Sequence, residues 1–157
     1  MIDLRAPLTE NFSHWEFVVS ETAARRGIGN TPTPEHWDRL ETLARNILEP
    51  LRAACGPIRI TSGYRSPALN TAIGGAAQSQ HCLGEAVDII PLKVSLQEAF
   101  VWIYKGTPYD QLIWEFGEWI HVSHKASGAQ RGTVLLAHKV DGKTLYAPIT
   151  EEQMSQW

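Results

Sequence analysis

From Trp37 to Ala54 the apolar residues Trp37, Leu40, Leu43, Ala44, Ile47, Leu51 and Ala54 recur every three or four positions. Only an α-helix gathers that spacing into one continuous apolar face. Thr33-Pro34 reads as an N-cap followed by proline at the first helical position, and Gly56-Pro57 ends the run. A helix this long and this one-sided must lie against another layer. Pro50 falls inside it and is expected to kink or split it, because the proline ring removes a backbone donor and crowds the preceding turn.

The partner layer is legible downstream. Ile58–Thr61 alternates as a strand, and Glu85–Ile90 reads as a second; Gln111–Phe116 and Trp119–His124 are β-rich runs separated by Gly117-Glu118. Thr133–Val140 and Lys143–Ile149 flank Asp141-Gly142, a strong two-residue hairpin signal. Short helices are expected at Pro67–Ile73 behind Ser66 and at Leu96–Lys105 behind Ser95, with a short capped turn or a frayed end after Thr150. Helices come first and strands cluster late, so the expected class is α+β with a mainly antiparallel sheet. At 157 residues, without repeats or a Gly/Ser linker, the chain is expected to form one domain over residues 1–157.

Fourteen Lys and Arg against seventeen Asp and Glu leave a net charge of −3, which offers no basic footprint for a phosphate backbone. No nucleic-acid partner is expected. Cys55 and Cys82 cannot build a disulfide framework, and neither sits in a CxxC pair. The first residues lack the basic start and apolar core of an export signal, and no apolar run approaches the roughly 20 residues a bilayer demands. A soluble monomer without membrane insertion, held in the cytoplasm of the cell that makes it, is the expectation.

Chemistry concentrates in Ser79-Gln80-His81-Cys82-Leu83-Gly84-Glu85-Ala86-Val87-Asp88, which sets an imidazole and a carboxylate on either side of a glycine turn that leads into an apolar strand. His121, in Trp119-Ile120-His121-Val122-Ser123, lies on a strand expected in the same sheet. Two imidazoles and one carboxylate leave a tetrahedral Zn²⁺ one open position, as in a catalytic site. Non-haem iron oxygenases use the same donors, but their His-x-Asp pair has one intervening residue where His81 and Asp88 have six. His14, His36, His124 and His138 are read as structural, and Cys82 as a small buried side chain.

Ser79–Asp88 resembles, at all five defining positions, the SxHxxGxAxD signature of the zinc D,D-peptidases, peptidase family M15. Five fixed positions arise by chance in roughly one such chain in ten thousand. Glu118-Trp119-Ile120-His121 resembles the family's second motif, and Ser62-Gly63-Tyr64-Arg65-Ser66 with Asn70 and Gly74-Gly75 its substrate-binding segment. The resemblance covers roughly residues 12–125 and implies the Hedgehog/D,D-peptidase α+β fold. It implies His81, Asp88 and His121 as metal ligands, Zn²⁺ as cofactor, Glu118 as general base, and Arg65 and Ser79 as substrate-binding residues. Glu115 competes with Glu118: residues three apart on a straight strand face opposite ways, so Glu118 reaches the site of His121 only through a turn or bulge. Ser79 is equally consistent with a capping role.

The implied activity is hydrolysis of peptidoglycan stem peptides, at the D-Ala-D-Ala terminus or at an internal bond such as L-Ala-D-Glu. A short chain of this kind is similar to phage and prophage endolysins, which act on the wall after release from the cell. The alternative is a non-catalytic, zinc-containing wall-binding module on the same fold, which would have no need of an acid beside the third ligand.

Overall fold

A computed structural model of the chain describes residues 2–156. The expected long helix is present, and it is split just before Pro50. Helix α2 (Pro34–Leu43), capped by the Thr33 side chain, runs into a π turn at Ala44–Leu48 and onward into α3 (Glu49–Cys55). An α-helix would call on the N–H of residue 50 to bond the carbonyl of residue 46, and proline has none. The preceding turn widens instead, and the Glu49 N–H reaches back to the Ala44 carbonyl. The extra residue rotates everything beyond it. Ala54, expected on the core face, is exposed, while Leu48, Leu51 and Cys55 are buried.

The six strands are β1 (Ile58–Ser62), β2 (Ala86–Pro91), β3 (Gln111–Glu115), β4 (Trp119–Ser123), β5 (Thr133–Val140) and β6 (Lys143–Pro148). They form one sheet in the order β1-β2-β4-β3-β5-β6. Every pairing is antiparallel except β3 with β5, so the sheet is mixed and mainly antiparallel, as expected of this α+β chain. Asp141 and Gly142 both take positive φ, 49° and 77°, and close the β5–β6 hairpin.

Strand alternation gives the sheet two faces with different work. Val87 and Ile89, Ile120 and Val122, and Leu112 point to the face on which Leu40, Leu43, Ile47, Leu51, Phe100 and Ile103 form the core. The last two come from helix α5 (Leu96–Gly106), which carries a capping box at Ser95 and Glu98. The opposite face carries Asp88, His121, Ile113 and Glu115. Helix α4 (Pro67–Ala72) begins behind Ser66, and α6 (Glu151–Met154) behind Thr150, both as expected. Helix α1 (Glu21–Arg26) was not anticipated; Ser20 caps its first turn and Gly27, at φ 63°, its last. Among the described residues no helix is long and apolar enough to cross a membrane.

Candidate metal centre and cleft

Asp88 and His121 sit directly opposite each other on β2 and β4, so their side chains leave the sheet side by side. His81 arrives from a one-turn 3-10 helix, Gln80–Leu83, that runs into β2 through Gly84. Gly84 has a φ of 71°, and a Cβ there would lie 2.7 Å from the His36 carbonyl oxygen. The turn that carries His81 can therefore press onto α2 only because that position is glycine.

Three ligand atoms converge. His121 Nδ1 is 3.0 Å from Asp88 Oδ1, His81 Nε2 is 3.3 Å from the same oxygen, and the two ring nitrogens are 3.3 Å apart. All three residues are buried, and these atoms lie within 4.8 Å of one another, a group that could hold a metal ion. Their chemistry fits one. The ring Nδ1 of His81 lies 2.7 Å from the Gly63 carbonyl, which can only accept, so Nδ1 carries the proton and the Nε2 lone pair is turned to the centre. Burial works against ionising Asp88, but the neighbouring His81 and His121 rings outweigh it and hold the carboxyl below the usual carboxylate range.

Arg65 lines the cleft and also reaches the centre itself. Its Nη2 donates to Asp88 Oδ2 at 2.7 Å and its Nε to Ser62 Oγ at 2.9 Å. A bulge in β1 between Ile60 and Ser62 puts Ser62 opposite Asp88, in line for this arrangement. Arg65 lines the cleft, but two of its donors orient the carboxylate that faces the metal position. Ser79 also lines the cleft, and its hydroxyl oxygen accepts the His81 N–H at 3.3 Å, the capping role.

The structure does not bring Glu118 to the centre. Phe116 and Gly117 both adopt positive φ, 58° and 75°, and the Glu118 N–H bonds the Glu115 carbonyl at 2.9 Å, closing a tight turn. The turn leaves Glu118 exposed and outside the cleft lining. Glu115 takes the facing position. It pairs with Trp119 on the face shared with His121, is half-buried, and lines the cleft. Burial pushes its carboxyl above the ordinary value, with the nearby His121 pulling the other way.

The cleft holds about 910 Å³. Its far wall includes Leu135, Thr144 and Tyr146 of β5 and β6, which the sequence reading did not single out. Asp110 is fully buried; it receives Arg131 Nε at 2.9 Å and Nη2 at 2.5 Å, and Gln80 Nε2 at 3.1 Å, tying the loop before β5 to the His81 turn.

The remaining histidines stand apart from the metal group. His14 Nδ1 bonds the Ala6 carbonyl and its ring packs edge-on against Trp37, while His36 caps the Thr33 N–H. Cys82 is half-buried where a buried side chain was expected, and burial raises its thiol pKa, so it has no thiolate character.

No curated protein matches the chain. The family profile described as Peptidase M15 matches residues 10–123, well over half of the chain, and that span contains the Ser79–Asp88 signature, the Arg65 turn and His121. A His/Asp/His group that could hold a metal and a profile match that encloses all of it agree: the chain belongs to the Peptidase M15 family of metallopeptidases.

Proposed function

We propose that the protein is a zinc peptidase that hydrolyses the stem peptides of peptidoglycan, in the manner of a phage or prophage endolysin. The observation that carries this reading is the convergence of His81, Asp88 and His121 on one point beside a cleft whose wall offers a half-buried carboxylate, Glu115. His81, His121 and Asp88 would hold the ion, and Arg65 keeps Asp88 aimed through Oδ2. When bound, zinc supplies a Lewis acid that polarises the scissile carbonyl and makes water acidic. Glu115, in place of Glu118, takes the proton from the attacking water and passes it to the leaving amine; the rise in its pKa suits a group that must hold that proton between the two steps. The Ser79 hydroxyl, whose oxygen caps His81, keeps its own proton to donate to substrate. The preference for stem peptides, cut at D-Ala-D-Ala or L-Ala-D-Glu, rests on the resemblance of the Ser79–Asp88 and Glu118–His121 motifs to the D,D-peptidases.

Digestion of purified peptidoglycan by the zinc-loaded protein, with and without a chelator, tests the reading, with new termini identified by mass spectrometry. The expected result is chelator-sensitive release of stem-peptide termini. Glu115→Gln should retain zinc while turnover falls roughly 10²–10⁴-fold, the usual worth of a positioned general base. Glu118→Gln should stay near the wild-type rate. Chelator-resistant hydrolysis, or none by the zinc-loaded protein, overturns the peptidase reading. A dead Glu118 variant beside an active Glu115 variant reverses the base assignment alone.

A further inference from the structure

The β5–β6 hairpin lies outside the span matched by the family profile, yet it forms a wall of the cleft. Its register decides what it presents there. Glu115 pairs with Ala137 on β5, and Ala137 pairs with Tyr146 on β6. Side chains paired across neighbouring strands share a face, so Glu115, Ala137 and Tyr146 form one row on the face that bears Asp88 and His121. Two strand spacings separate Glu115 from Tyr146, about 10 Å between backbones. Ala137, the small residue between them, is buried, so the cleft is bordered here by its longer neighbours Glu115 and Tyr146. Tyr146 is 54% exposed and lines the cleft.

The Arg and Lys side chains on the walls are engaged elsewhere. Arg65 holds Asp88 and Ser62, Arg131 holds Asp110 and Gln80, and the Lys125 ammonium donates to the Ala129 carbonyl. A bound peptide whose carbonyl is attacked at the metal position needs a hydrogen-bond donor on the side of that carbonyl oxygen. We propose that Tyr146 is a substrate-binding catalytic residue of this cleft: its phenol O–H donates to the scissile carbonyl oxygen and keeps that bond as the carbonyl carbon becomes tetrahedral. The inference rests on the peptidase reading above. A phenol suits the role because it can donate without bringing a second full positive charge next to Arg65 and the cation. Its ring lies across from Glu115, so the peptide is held between the residue that moves the proton and the residue that steadies the oxygen.

The test uses the zinc-loaded full chain and soluble muropeptides prepared from peptidoglycan, with wild type, Tyr146→Phe and Tyr146→Ala compared for kcat, KM, zinc content and melting temperature. Tyr146→Phe removes the hydroxyl and keeps the ring. It is expected to lower kcat roughly 10- to 100-fold, the range from one neutral hydrogen bond to one oxyanion donor, with KM within about twofold of wild type. Zinc content and melting temperature should not change, and Tyr146→Ala should lose at least as much activity. A Phe variant with wild-type kcat overturns the inference, whether or not its KM rises, since a wall contact alone would not act on kcat. If wild type itself shows no chelator-sensitive activity, the peptidase reading fails and this one with it. Wild-type activity with an unaffected Phe variant removes only the role of Tyr146.

Discussion

Gly63 is the point where the fold and the metal centre share one atom's worth of space. A Cβ at this position would lie 2.4 Å from the Phe17 carbonyl oxygen and 2.8 Å from the Phe17 Cα. These neighbours are backbone, so no rotamer change relieves the overlap, and the Phe17 carbonyl is already engaged by the Tyr64 N–H at 2.7 Å. Gly63→Ala must therefore push the end of β1 away from the segment that carries Phe17. Overpacking of this kind costs roughly 1–3 kcal/mol, and the stiffer unfolded chain returns about 0.4–1 kcal/mol. With the clash near an ångström, a net loss of about 2 kcal/mol is expected, which lowers the melting temperature of a chain this size by about 4–8 °C. The same shift moves the Gly63 carbonyl that fixes the His81 ring, so zinc affinity should fall about tenfold, the low end for loss of a ligand's supporting hydrogen bond. Gly29→Ala is the control, since nothing lies within 4 Å of a Cβ there and its φ is unconstrained. Thermal melts and a zinc competition titration on the two variants decide the matter. Equal melting temperatures and equal zinc affinities would refute the claim that close approach at Gly63 holds the centre together.

Two further predictions follow from side chains with more than one partner. Arg65→Lys should weaken zinc binding roughly 10- to 100-fold, because one ammonium cannot serve Asp88 and Ser62 as the guanidinium does; unchanged zinc affinity with a raised KM would return Arg65 to the substrate-binding role expected from sequence. Burial opposes ionisation of Glu49, but hydrogen bonds from Thr9 and from the Asn11 side chain and N–H outweigh it and hold its carboxyl below the ordinary value. A depressed native pKa stabilises fully above the unfolded value of about 4.3 and is lost as pH falls below it. Melting temperature should therefore drop more steeply between pH 6 and pH 3 in wild type than in Glu49→Gln; parallel curves would remove Glu49 from the account of acid sensitivity.

What could be read in advance, and what could not, divides by range along the chain. Helix α2, the Ser66 and Ser95 caps and the Asp141-Gly142 turn depend on neighbours a few residues away, and they form where local chemistry places them. Pro50 shows the limit of a local rule: the missing donor is real, but a packed helix absorbs it by widening one turn, and the register shift that exposes Ala54 depends on that choice. Helix α1 is short and largely polar, so no apolar period announces it. The parallel pairing of β3 with β5 joins segments divided by β4 and a loop, and nothing in either strand encodes the direction of approach. At the centre, Asp88 and His121 are opposed by strand register, and His81 arrives from the short turn that leads into β2. Glu118 precedes β4, so strand alternation does not place it; the turn at Phe116-Gly117 leaves it outside the cleft. Arg65 was recognisable as important, but its preference for Asp88 over a substrate carboxylate depends on a bulge in β1 that Ile58–Ser62 does not signal.

Strand β6 also has a consequence for self-association. It ends the sheet, and the outer row of backbone groups on any terminal strand is a template on which another chain can add. Here the template is only six residues long, opens with Lys143 and closes on Pro148, which has no N–H to offer. An incoming strand would find few ladder bonds and would bury a charge at one end. Leu145, 46% exposed on the face away from the cleft, is the apolar attraction that these two residues guard. Substituting both Lys143 and Pro148 with threonine would lengthen and neutralise the edge, turning a strand that now ends the sheet into one that invites aggregation in concentrated solution.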